Sequence, residues 1–302
     1  LFMKKAVIIG YGSIGEKHYK ALKNIKYFDQ IYIFSRRRFN KKLLISSWAQ
    51  LKKINPEYFI ISNESNLHVK TFNLINNKFK NKKIYIEKPL DIKFYKPKLK
   101  SDNKAIVGYN LRQHPGINKL KSLIEKKIII NVEIKCSSYL PNWRKRSYLK
   151  SSTAYKKKCG GILYELSHEI DYVNELLGEM KIKDVKLEKL SNLNIDYEDS
   201  FLGFFKNEKC NDIKFHLNYF DKNAERYIKI HTNKETFKLN FITHELEVCS
   251  STKKKKIKFK FDINKSYEET HKKFIKNNFL NLCDINKGIK ILKIISKIYE
   301  KK

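Results

Sequence analysis

The chain has 302 residues, of which 41% are hydrophobic and 13% aromatic, which excludes an unfolded chain and suffices for two domains with buried cores. Its 65 Lys and Arg against 31 Asp and Glu give a formal net charge of +34, which by itself invites a nucleic-acid-binding interpretation. The lysines are spread over the whole length beside abundant Asn and Ile, so a coding bias explains the charge about as well as a function does. We interpret the lysine runs at residues 156–158 and 253–256 as solvated loop or strand-edge charges.

The cysteines and the apolar runs argue against several further classes. Five widely separated cysteines form no CxxC pair and leave one over, which argues against a disulfide framework or a zinc site and favours a reducing cytoplasm. No apolar run approaches the ~20 residues that span a bilayer, and the run Ala6 to Ile9 is too short for a signal-peptide core. We expect a soluble cytoplasmic protein without a metal, because the histidines show no metal-ligand spacing either.

The first hundred residues alternate short β-rich runs with helical stretches, which is the pattern of βαβ units and a parallel sheet. The clearest helices are predicted over Ile14 to Lys26 and Leu67 to Asn77. The predicted strands are Ala6 to Ile9, Ile31 to Phe34, Tyr58 to Ile61, Ile84 to Ile86 and Ala105 to Val107. The order predicts a Rossmann domain.

A glycine motif follows the first predicted strand. The sequence AVIIGYGSIGEKH places Gly10, Gly12 and Gly15 as GxGxxG between a strand and a helix, the context in which this pattern is informative. Gly10 permits the tight turn, Gly12 lets the backbone approach a pyrophosphate, and Gly15 lets helix and strand pack closely. Ser13 and Ile14 open the helix, whose first N–H groups would bind the phosphates. The motif predicts a dinucleotide site, although glycines can also simply mark a strand-to-helix turn.

The end of the second predicted strand bears on the choice of dinucleotide. An NAD site places an Asp or Glu on the ribose about twenty residues beyond the motif, whereas here Ser35, Arg36 and Arg37 follow and no acid is present. A hydroxyl and guanidinium groups suit the 2′-phosphate of NADP, which arginine binds bidentately. We favour NADP(H), with NAD(H) as the alternative, since a lysine-rich protein could also place arginines here by chance.

Polar residues follow the third and fourth predicted strands, at the edge where open parallel sheets bind ligands. Ser62, Asn63 and His68 follow the third strand, and the tripeptide Glu87-Lys88-Pro89 follows the fourth. We assign these residues to the cofactor site, although the tripeptide read alone could be any exposed turn. X-Pro bonds adopt the cis form at modest cost, and we predict a cis bond before the proline.

Beyond residue 115 the pattern changes to helix, strand and several runs with β-like alternation, which indicates a mixed or antiparallel sheet. Predicted helices cover Pro115 to Lys126, Gly161 to Leu177, Tyr267 to Phe279 and Gly288 to Ile298. Predicted strands cover Ile128 to Ile134, Ile182 to Leu187, Phe201 to Phe205, Ile213 to Leu217, Tyr227 to Ile230 and Phe237 to Leu239. The expected fold class is α/β: an N-terminal Rossmann parallel sheet at residues 1–117, and a C-terminal α+β domain with a large mixed or antiparallel sheet at residues 118–302.

Five motifs together resemble a known family. GYGSIG, ISNESNLH, YIEKPL, GYNLRQHP and GGILYELSHEID look like the Gfo/Idh/MocA oxidoreductases, relatives of glucose-fructose oxidoreductase and inositol dehydrogenase, in order and spacing over nearly the whole chain. The EKP tripeptide and the glycine-initiated helix with HxxD are the specific parts. The stretch YLPNWRKRSY with the helix that follows is most similar to members that serve nonulosonic-acid and surface-sugar biosynthesis.

The resemblance implies a role for each matching residue. Lys88 would lie beside the nicotinamide and the substrate hydroxyl, and His168 would be the acid/base that the helix carries. Glu87 would line the nicotinamide pocket, and His68 would shape the cofactor side. The substrate side would consist of Asn110, Arg112, Trp143, Arg144, Tyr164 and Asp171. Of these, the Trp-Arg pair would also reach toward the cofactor.

The helix that carries His168 departs from the family at one position. Many members have an Asp four residues before the catalytic His, where this chain has Tyr164, with Glu165 three residues before; either could take over, and Glu165 is a catalytic candidate. At ~100° per residue the helix has an apolar stripe with His168 opposite to it, so His168 is not a core histidine. The stripe comprises Leu163, Leu166, Ile170, Val173 and Leu177, and the opposite face comprises Tyr164, Glu165, His168, Asp171 and Tyr172. The alternative is a solvated polar face.

The expected function is hydride transfer between NADP(H) and a sugar or sugar-derived substrate, with Lys88 and His168 handling the proton. The family implies a homodimer or homotetramer formed through the second sheet, and we expect no membrane or nucleic-acid partner. One alternative is a basic polyanion- or nucleic-acid-binding protein, which explains the charge but not the EKP and helix motifs. Another is a cofactor-binding protein of the same fold with altered catalysis, to which Tyr164 lends support.

Overall fold

The computed structural model describes residues 3–35, 43–100, 102–145 and 147–301. The chain divides into a first unit, Leu1–Asn110 with Asp262–Leu292, and a second unit, Leu111–Phe261 with Lys293–Lys302. The first division thus falls seven residues before the expected boundary at residue 117, and a late segment of the chain returns to the first unit. This return is the main difference from the expected domain organisation.

The elements of the described residues are, in chain order, β1 (Lys5–Ile9), α1 (Ser13–Ile25), β2 (Gln30–Phe34), β3 (Leu44–Ile45), α2 (Trp48–Ile54), β4 (Tyr58–Ile61), α3 (His68–Lys78), β5 (Lys83–Ile86), β6 (Lys104–Val107), α4 (Pro115–Ile124), β7 (Ile129–Ser137), α5 (Lys156–Cys159), α6 (Ile162–Glu165), α7 (Ser167–Leu177), β8 (Lys181–Glu188), β9 (Ser200–Lys206), β10 (Ile213–Asn218), β11 (Glu225–Thr232), β12 (Thr236–Asn240), β13 (Glu245–Cys249), β14 (Lys254–Lys258), α8 (Ile263–Ile275), β15 (Cys283–Asp284) and α9 (Ile285–Glu300). Helix α9 contributes residues to both units.

The first unit contains a seven-stranded sheet in the order β3-β2-β1-β4-β5-β6-β15. All neighbours pair in parallel except β15, which is antiparallel to β6. The predicted Rossmann sheet is confirmed, with all five predicted strands in place. Its central strands read as continuous apolar runs because helices cover both faces of such a sheet, and β4 is buried at every position. The two-residue strands β3 and β15 were not predicted, since so short a segment has no periodicity.

The ends of the helices follow from local hydrogen bonding. The side chain of Ser47 accepts from the N–H of Gln50 and closes a capping box at α2. Asp262 caps α8 by accepting from the N–H of Asn264, and this cap starts the helix four residues before the predicted start at Tyr267. Helix α8 packs on α1 within the first unit.

The second unit contains an eight-stranded sheet in the order β14-β13-β12-β11-β7-β10-β9-β8. Only β7 and β10 pair in parallel among its described strands, so the sheet is mixed, one of the two arrangements that the sequence predicted. Strands β13 and β14 were not predicted. The lysines at 254–256 lie in β14 at the edge of the sheet, which confirms the strand-edge interpretation of that run. The run at 156–158 differs from the expected loop, because it opens the short helix α5.

The helix predicted from Gly161 to Leu177 is two helices, α6 and α7, separated at Leu166 with φ −96° and ψ 26°. The face opposite the apolar stripe is also largely buried, since Tyr164 is 4%, Asp171 1% and Tyr172 0% exposed. The alternative of a solvated polar face is therefore wrong for these three residues. His168 itself is half-buried.

Candidate functional site

The glycine turn has the geometry that the sequence predicted. Gly10 has φ +91°, and a Cβ on it would lie 2.5 Å from the backbone N of Asn63. A Cβ on Gly15 would overlap the carbonyl oxygen of Gly10. At Gly12, by contrast, a Cβ would meet nothing within 4 Å. Two glycines thus permit close packing, and the third leaves the open space next to the backbone that a pyrophosphate needs.

The first turn of α1 borders this space. The helix begins at Ser13, and its N-cap, Gly12, offers no side chain to cap the first N–H groups. On the neighbouring loop, the hydroxyl of Ser62 donates to the carbonyl oxygen of Gly10 at 2.8 Å. The residues present therefore fit a dinucleotide phosphate at the carboxyl edge of β1.

The loop after β2 is described only in part. The N–H of Ser35 donates to the carbonyl oxygen of Ile45 at 3.2 Å, which joins the end of β2 to β3. Arg36 and Arg37, predicted to bind a 2′-phosphate, lie outside the described residues.

The EKP turn after β5 has hydrogen bonds on both sides of Lys88. The Glu87 carboxylate is 6% exposed and accepts from Nε2 of His18 at 2.8 Å and from the Lys88 N–H at 3.1 Å. The Pro89 carbonyl oxygen accepts from Nδ1 of His68 at 2.7 Å. The other ring nitrogen, Nε2, lies 3.2 Å from the carbonyl oxygen of Asn63, and burial lowers the pKa of His68. The predicted cis Lys88-Pro89 bond is confirmed, and the Lys88 side chain is half-buried.

Asn63 and Asn110 are the two asparagines of the first unit that the sequence assigned to the site. The Asn63 side chain donates to the hydroxyl of Thr71 at 2.8 Å. Asn110 is 2% exposed and donates to the hydroxyl of Ser266 at 2.9 Å. Asn110 therefore has a structural partner in the returning segment, and its amide donor is directed there.

In the second unit, two glycines start the helix pair that carries His168. Gly160 and Gly161 have φ +85° and +117°. A Cβ on Gly161 would overlap the hydroxyl oxygen of Tyr299 and come within 2.5 Å of Glu198 Oε1. The tyrosine hydroxyl donates to that same carboxylate oxygen. Glycine is required at position 161 for both its backbone conformation and its lack of a side chain.

The two candidates for the third catalytic group lie in different surroundings. The Tyr164 ring is buried and stacks on the Tyr299 ring at a centroid distance of 5.5 Å. Glu165 is half-buried and accepts from the hydroxyl of Thr153 at 3.2 Å. His168 lies in the first turn of α7. Glu165 thus has the more accessible polar group of the two.

Arg112 and Asp171, both predicted on the substrate side, form a buried ion pair. Arg112 Nη2 donates to Asp171 Oδ1 at 2.7 Å, and Nε donates to Oδ2 at 3.0 Å. Both side chains are 1% exposed. Arg112 Nη1 also donates to Glu175 at 2.7 Å. The pair joins the start of the second unit to α7, one turn beyond His168.

The Trp-Arg pair differs from the other predicted substrate residues in its exposure. Trp143 is half-buried, donates through Nε1 to the hydroxyl of Ser138 at 2.8 Å, and packs edge-on against Tyr219 at 5.1 Å. Arg144 is exposed. A fixed ring beside an accessible guanidinium can contact an outside ligand.

Two residues of the first unit were missed by sequence reasoning, His18 and His271. Both are 0% exposed. The only signal for His18 is its place one helical turn after Gly15, on the inward face of α1. His271 has no local signal, because its partners lie far away in the sequence.

Further features of the described residues concern membranes, metals and disulfides. None of their helices is both long and apolar enough to cross a membrane. No cluster of three or more His, Cys, Asp or Glu in the described part of the chain could hold a metal ion. The five cysteines are free thiols.

Comparison with known proteins places the chain in a family. The profile for an oxidoreductase family, C-terminal α/β domain, of the Gfo/Idh/MocA type matches residues 121–302. No curated protein sequence matches the chain.

Solved structures are similar over the whole chain. Levoglucosan dehydrogenase in complex with NADH has 17% identity and a TM-score of 0.83, with coverage of 99% of this chain and 96% of that one. The WlbA dehydrogenase of Bordetella pertussis with NADH and UDP-GlcNAcA has 14% identity and a TM-score of 0.78, with coverage of 99% and 96%. UDP-N-acetylglucosamine 3-dehydrogenase GnnA of Acidithiobacillus ferrooxidans has 12% identity and a TM-score of 0.77, with coverage of 100% and 98%.

The Rossmann sheet, the glycine turn and the EKP turn, together with these matches, define the class of protein: an NAD(P)-dependent oxidoreductase that acts on CH–OH groups. Within that class, the chain belongs to the Gfo/Idh/MocA oxidoreductase family. The resemblance seen in the five motifs and the expected fold class are both confirmed.

Proposed function

We propose that the protein transfers a hydride between NADP(H) and a sugar or sugar-derived substrate, while Lys88 and His168 handle the proton of the reacting hydroxyl or carbonyl. The observation that carries the proposal is the EKP turn, which presents a half-buried lysine between two hydrogen-bonded neighbours at the carboxyl edge of the sheet. The open glycine turn belongs to the same edge of the same sheet.

The cofactor's binding residues follow from the geometry of the first unit. Gly10, Gly12, Ser13, Ile14 and Gly15 would hold the pyrophosphate through backbone N–H groups and the N-terminus of α1. When bound, the nicotinamide supplies or takes up the hydride. The remaining cofactor contacts that we propose are Ser62, Asn63, His68, Glu87 and Lys88.

The preference for NADP over NAD rests on the sequence after β2. Ser35, Arg36 and Arg37 supply a hydroxyl and two guanidinium groups where an NAD site needs an acid. Because two of the similar structures hold NADH, NAD(H) is the alternative cofactor that the test below must separate.

Two side chains of the protein would move the proton. Lys88 would donate a proton to the substrate oxygen or accept one from it, as a general acid or base. His168 is half-buried in the first turn of α7, and we propose that its imidazole passes the proton on to solvent. We propose Glu165 as the third polar group of this set, since Tyr164 is buried in its stack with Tyr299.

The substrate is proposed to be sugar-like because the similar solved structures include enzymes named for levoglucosan and for a UDP-sugar. Trp143 and Arg144 are the proposed substrate contacts in the second unit. Arg112 and Asp171, with their buried ion pair, would instead support the helix that carries His168. We keep a homodimer or homotetramer as the predicted assembly.

The test is turnover with a panel of sugars and nucleotide sugars, followed by the absorbance of the reduced nicotinamide. With the substrate found, Lys88→Met should lose several orders of magnitude in turnover and retain the affinity for NADPH. The matched control is Lys93→Met, which removes an exposed lysine just beyond the turn and should leave turnover unchanged. Near-normal turnover of Lys88→Met would contradict the proposal.

A further inference from the structure

Four buried side chains of the first unit form a continuous hydrogen-bond network that ends at the EKP turn. The Tyr58 hydroxyl lies 2.7 Å from His271 Nδ1, and His271 Nε2 lies 2.8 Å from His18 Nδ1. His18 Nε2 lies 2.8 Å from Glu87 Oε1. The exposed fractions are 1% for Tyr58, 0% for both histidines and 6% for Glu87. We call these four residues the histidine network.

Only one arrangement of protons satisfies every member with neutral rings. The Glu87 carboxylate can only accept, so His18 Nε2 donates to it and His18 Nδ1 accepts. His271 Nε2 must then donate to His18, and His271 Nδ1 accepts from the Tyr58 hydroxyl. Burial lowers the pKa of His271 well below its usual range and raises the pKa of Tyr58. Both shifts keep these two groups uncharged, and the direction of each bond then follows from the Glu87 carboxylate, which accepts at the end of the network.

The network reaches the backbone of Lys88 through the second oxygen of Glu87. Oε1 of that carboxylate accepts from His18, and Oε2 accepts from the Lys88 N–H at 3.1 Å. With both oxygens bonded, the carboxylate has a fixed orientation, and the direction of the Lys88 N–H is fixed with it. A buried carboxylate that loses its donor must move toward another partner, because an unpaired buried charge is costly.

Two aromatic rings pack against the His18 ring of the histidine network. Tyr85 and Tyr267 pack edge-on against the His18 ring at centroid distances of 4.9 Å and 5.1 Å. The Tyr85 hydroxyl also lies 3.4 Å from Glu87 Oε1, at the limit of a hydrogen bond. His18 is therefore the short donor to this oxygen.

The four members come from four different elements. Tyr58 begins β4, His18 lies in α1, and Glu87 follows β5. His271 lies in α8, within the segment that returns to the first unit after the second. The late segment therefore supplies a central member of the hydrogen bonds behind the EKP turn.

We propose that His18 and His271 are positioning residues for Lys88: the histidine network fixes the Glu87 carboxylate and thereby the backbone from which the Lys88 side chain extends. The proposal rests on the proposed function, because it assigns a purpose to the position of Lys88. Displacement of a reacting group by about 1 Å can lower turnover ~100-fold without contact between the altered residue and the substrate.

The first experiment separates turnover from binding. His271→Ala should lower kcat by about 10- to 100-fold and change the dissociation constant for NADPH by less than about 3-fold. His271→Gln should restore part of the loss, because its side-chain amide can donate to His18 Nδ1. Tyr58→Phe, which removes a single hydroxyl, should give a smaller loss of kcat in a protein that still folds.

The matched control is Asn24→Ala. The Asn24 side chain donates to Glu268 at 2.7 Å, so the substitution removes another bond between α1 and α8 and leaves the histidine network intact. Its kcat should equal that of the unaltered protein. Equal losses of kcat in Asn24→Ala and His271→Ala would overturn the proposal, since general loosening of the two helices would then explain both.

The second experiment observes the network without turnover. In ¹⁵N-histidine NMR spectra, both His18 and His271 should be neutral Nε2–H tautomers, and the His18 N–H proton should resonate downfield and exchange slowly with water. Tyr58→Phe should shift the His271 signals. Spectra with other tautomers would overturn the proposal even if Lys88 proves catalytic.

The outcomes distinguish this proposal from the proposed function. Normal turnover of Lys88→Met contradicts the proposed function and removes the basis of the positioning role. A defective Lys88→Met with normal kcat in His271→Ala overturns the positioning role alone.

Discussion

The turn that carries Lys88 and the helix that carries His168 are supported by different chemistry. Behind the turn is a network of neutral groups with one charge, in which each hydrogen bond determines the direction of the next. Beside the helix are two ion pairs: Arg112 with Asp171, both buried, and Arg226 with Glu169 at 2.7 Å, in which Glu169 is buried and Arg226 is 29% exposed.

This difference predicts whether a substitution lowers turnover or stability more strongly. Loss of one member of the neutral network redirects its neighbours, so the effect should be larger on turnover than on stability. Loss of one member of a buried ion pair leaves its partner charged and unpaired, so the effect should be larger on stability.

The largest change should come from Arg112→Leu. The substitution leaves the Asp171 carboxylate buried without its main partner, and we expect a loss of about 3–5 kcal/mol in the free energy of unfolding. Urea denaturation measures it. The control is Lys121→Met, which removes the 49%-exposed partner of Glu175 and should cost less than about 1 kcal/mol. A loss of the same small size for both would show that the pair is not buried in solution.

Gly161→Ala should be the next largest. Its positive φ costs about 1–3 kcal/mol in a residue with a side chain. The contact with Tyr299 and Glu198 adds overpacking of about 1 kcal/mol, because the ends of these side chains can shift, so we expect a total loss of about 2–4 kcal/mol. The matched control is Gly178→Ala, since Gly178 has φ +94° but open space around its Cβ position. Equal losses of stability in thermal unfolding would show that a side chain at position 161 does not collide with Tyr299 and Glu198.

A third prediction tests whether the second unit also depends on a neutral histidine. Burial lowers the pKa of His114 to about 4, and the charges of His244 and Arg226 contribute. The usual value is 6.5, so between pH 6.5 and 4 the unfolded chain binds a proton that the folded chain does not, and stability falls as the pH falls. The difference between 6.5 and about 4 corresponds to about 3.4 kcal/mol at ~1.36 kcal/mol per pH unit, and most of this stability is lost by pH 4.

His114→Asn is the variant for this prediction. The His114 ring accepts the N–H of Gly116 at the start of α4, and asparagine can retain that cap while it removes the titration. The difference in unfolding free energy between pH 7 and pH 4 should shrink in the variant. An unchanged difference would assign the acid sensitivity to other groups, with His271 the first to examine because its pKa is lowered too.

The smallest stability change should be that of Tyr58→Phe. The substitution leaves His271 Nδ1 as a buried acceptor without its donor, at a cost of about 1–2 kcal/mol. Tyr32→Phe is the control, because the Tyr32 hydroxyl donates to Gln30 at a half-buried position. A loss of kcat in Tyr58→Phe that is greater than the loss of folded protein explains would sharpen the contrast between the two regions.

Much of this structure follows from local patterns in the sequence. The five central strands of the first sheet are apolar runs because both faces are covered, and the glycine turn has a fixed spacing. Strand β14 reads KKKIK, so its charge conceals a strand at the sheet edge. The apolar stripe continues across Leu166, so periodicity gives no sign of the break between α6 and α7.

The parts that the sequence did not predict depend on distant partners. His18 and His271 are separated by 253 positions, and nothing near either residue identifies the other. The sequence assigned Arg112 to the substrate side, because nothing near it in the chain identifies Asp171, 59 positions away, as its hydrogen-bond partner. Buried polar groups are specified by their partners, which only the folded chain brings together.

The central claim, a dinucleotide-dependent oxidoreductase with its cofactor at the glycine turn, is tested most directly by titration of the protein with NADPH and NADH separately. Nicotinamide fluorescence and thermal stability report binding, since a ligand of the folded state raises the unfolding temperature. The account predicts saturable binding and stabilisation, larger with NADPH than with NADH. Binding of neither dinucleotide would contradict it and would favour a polyanion-binding function for this basic chain.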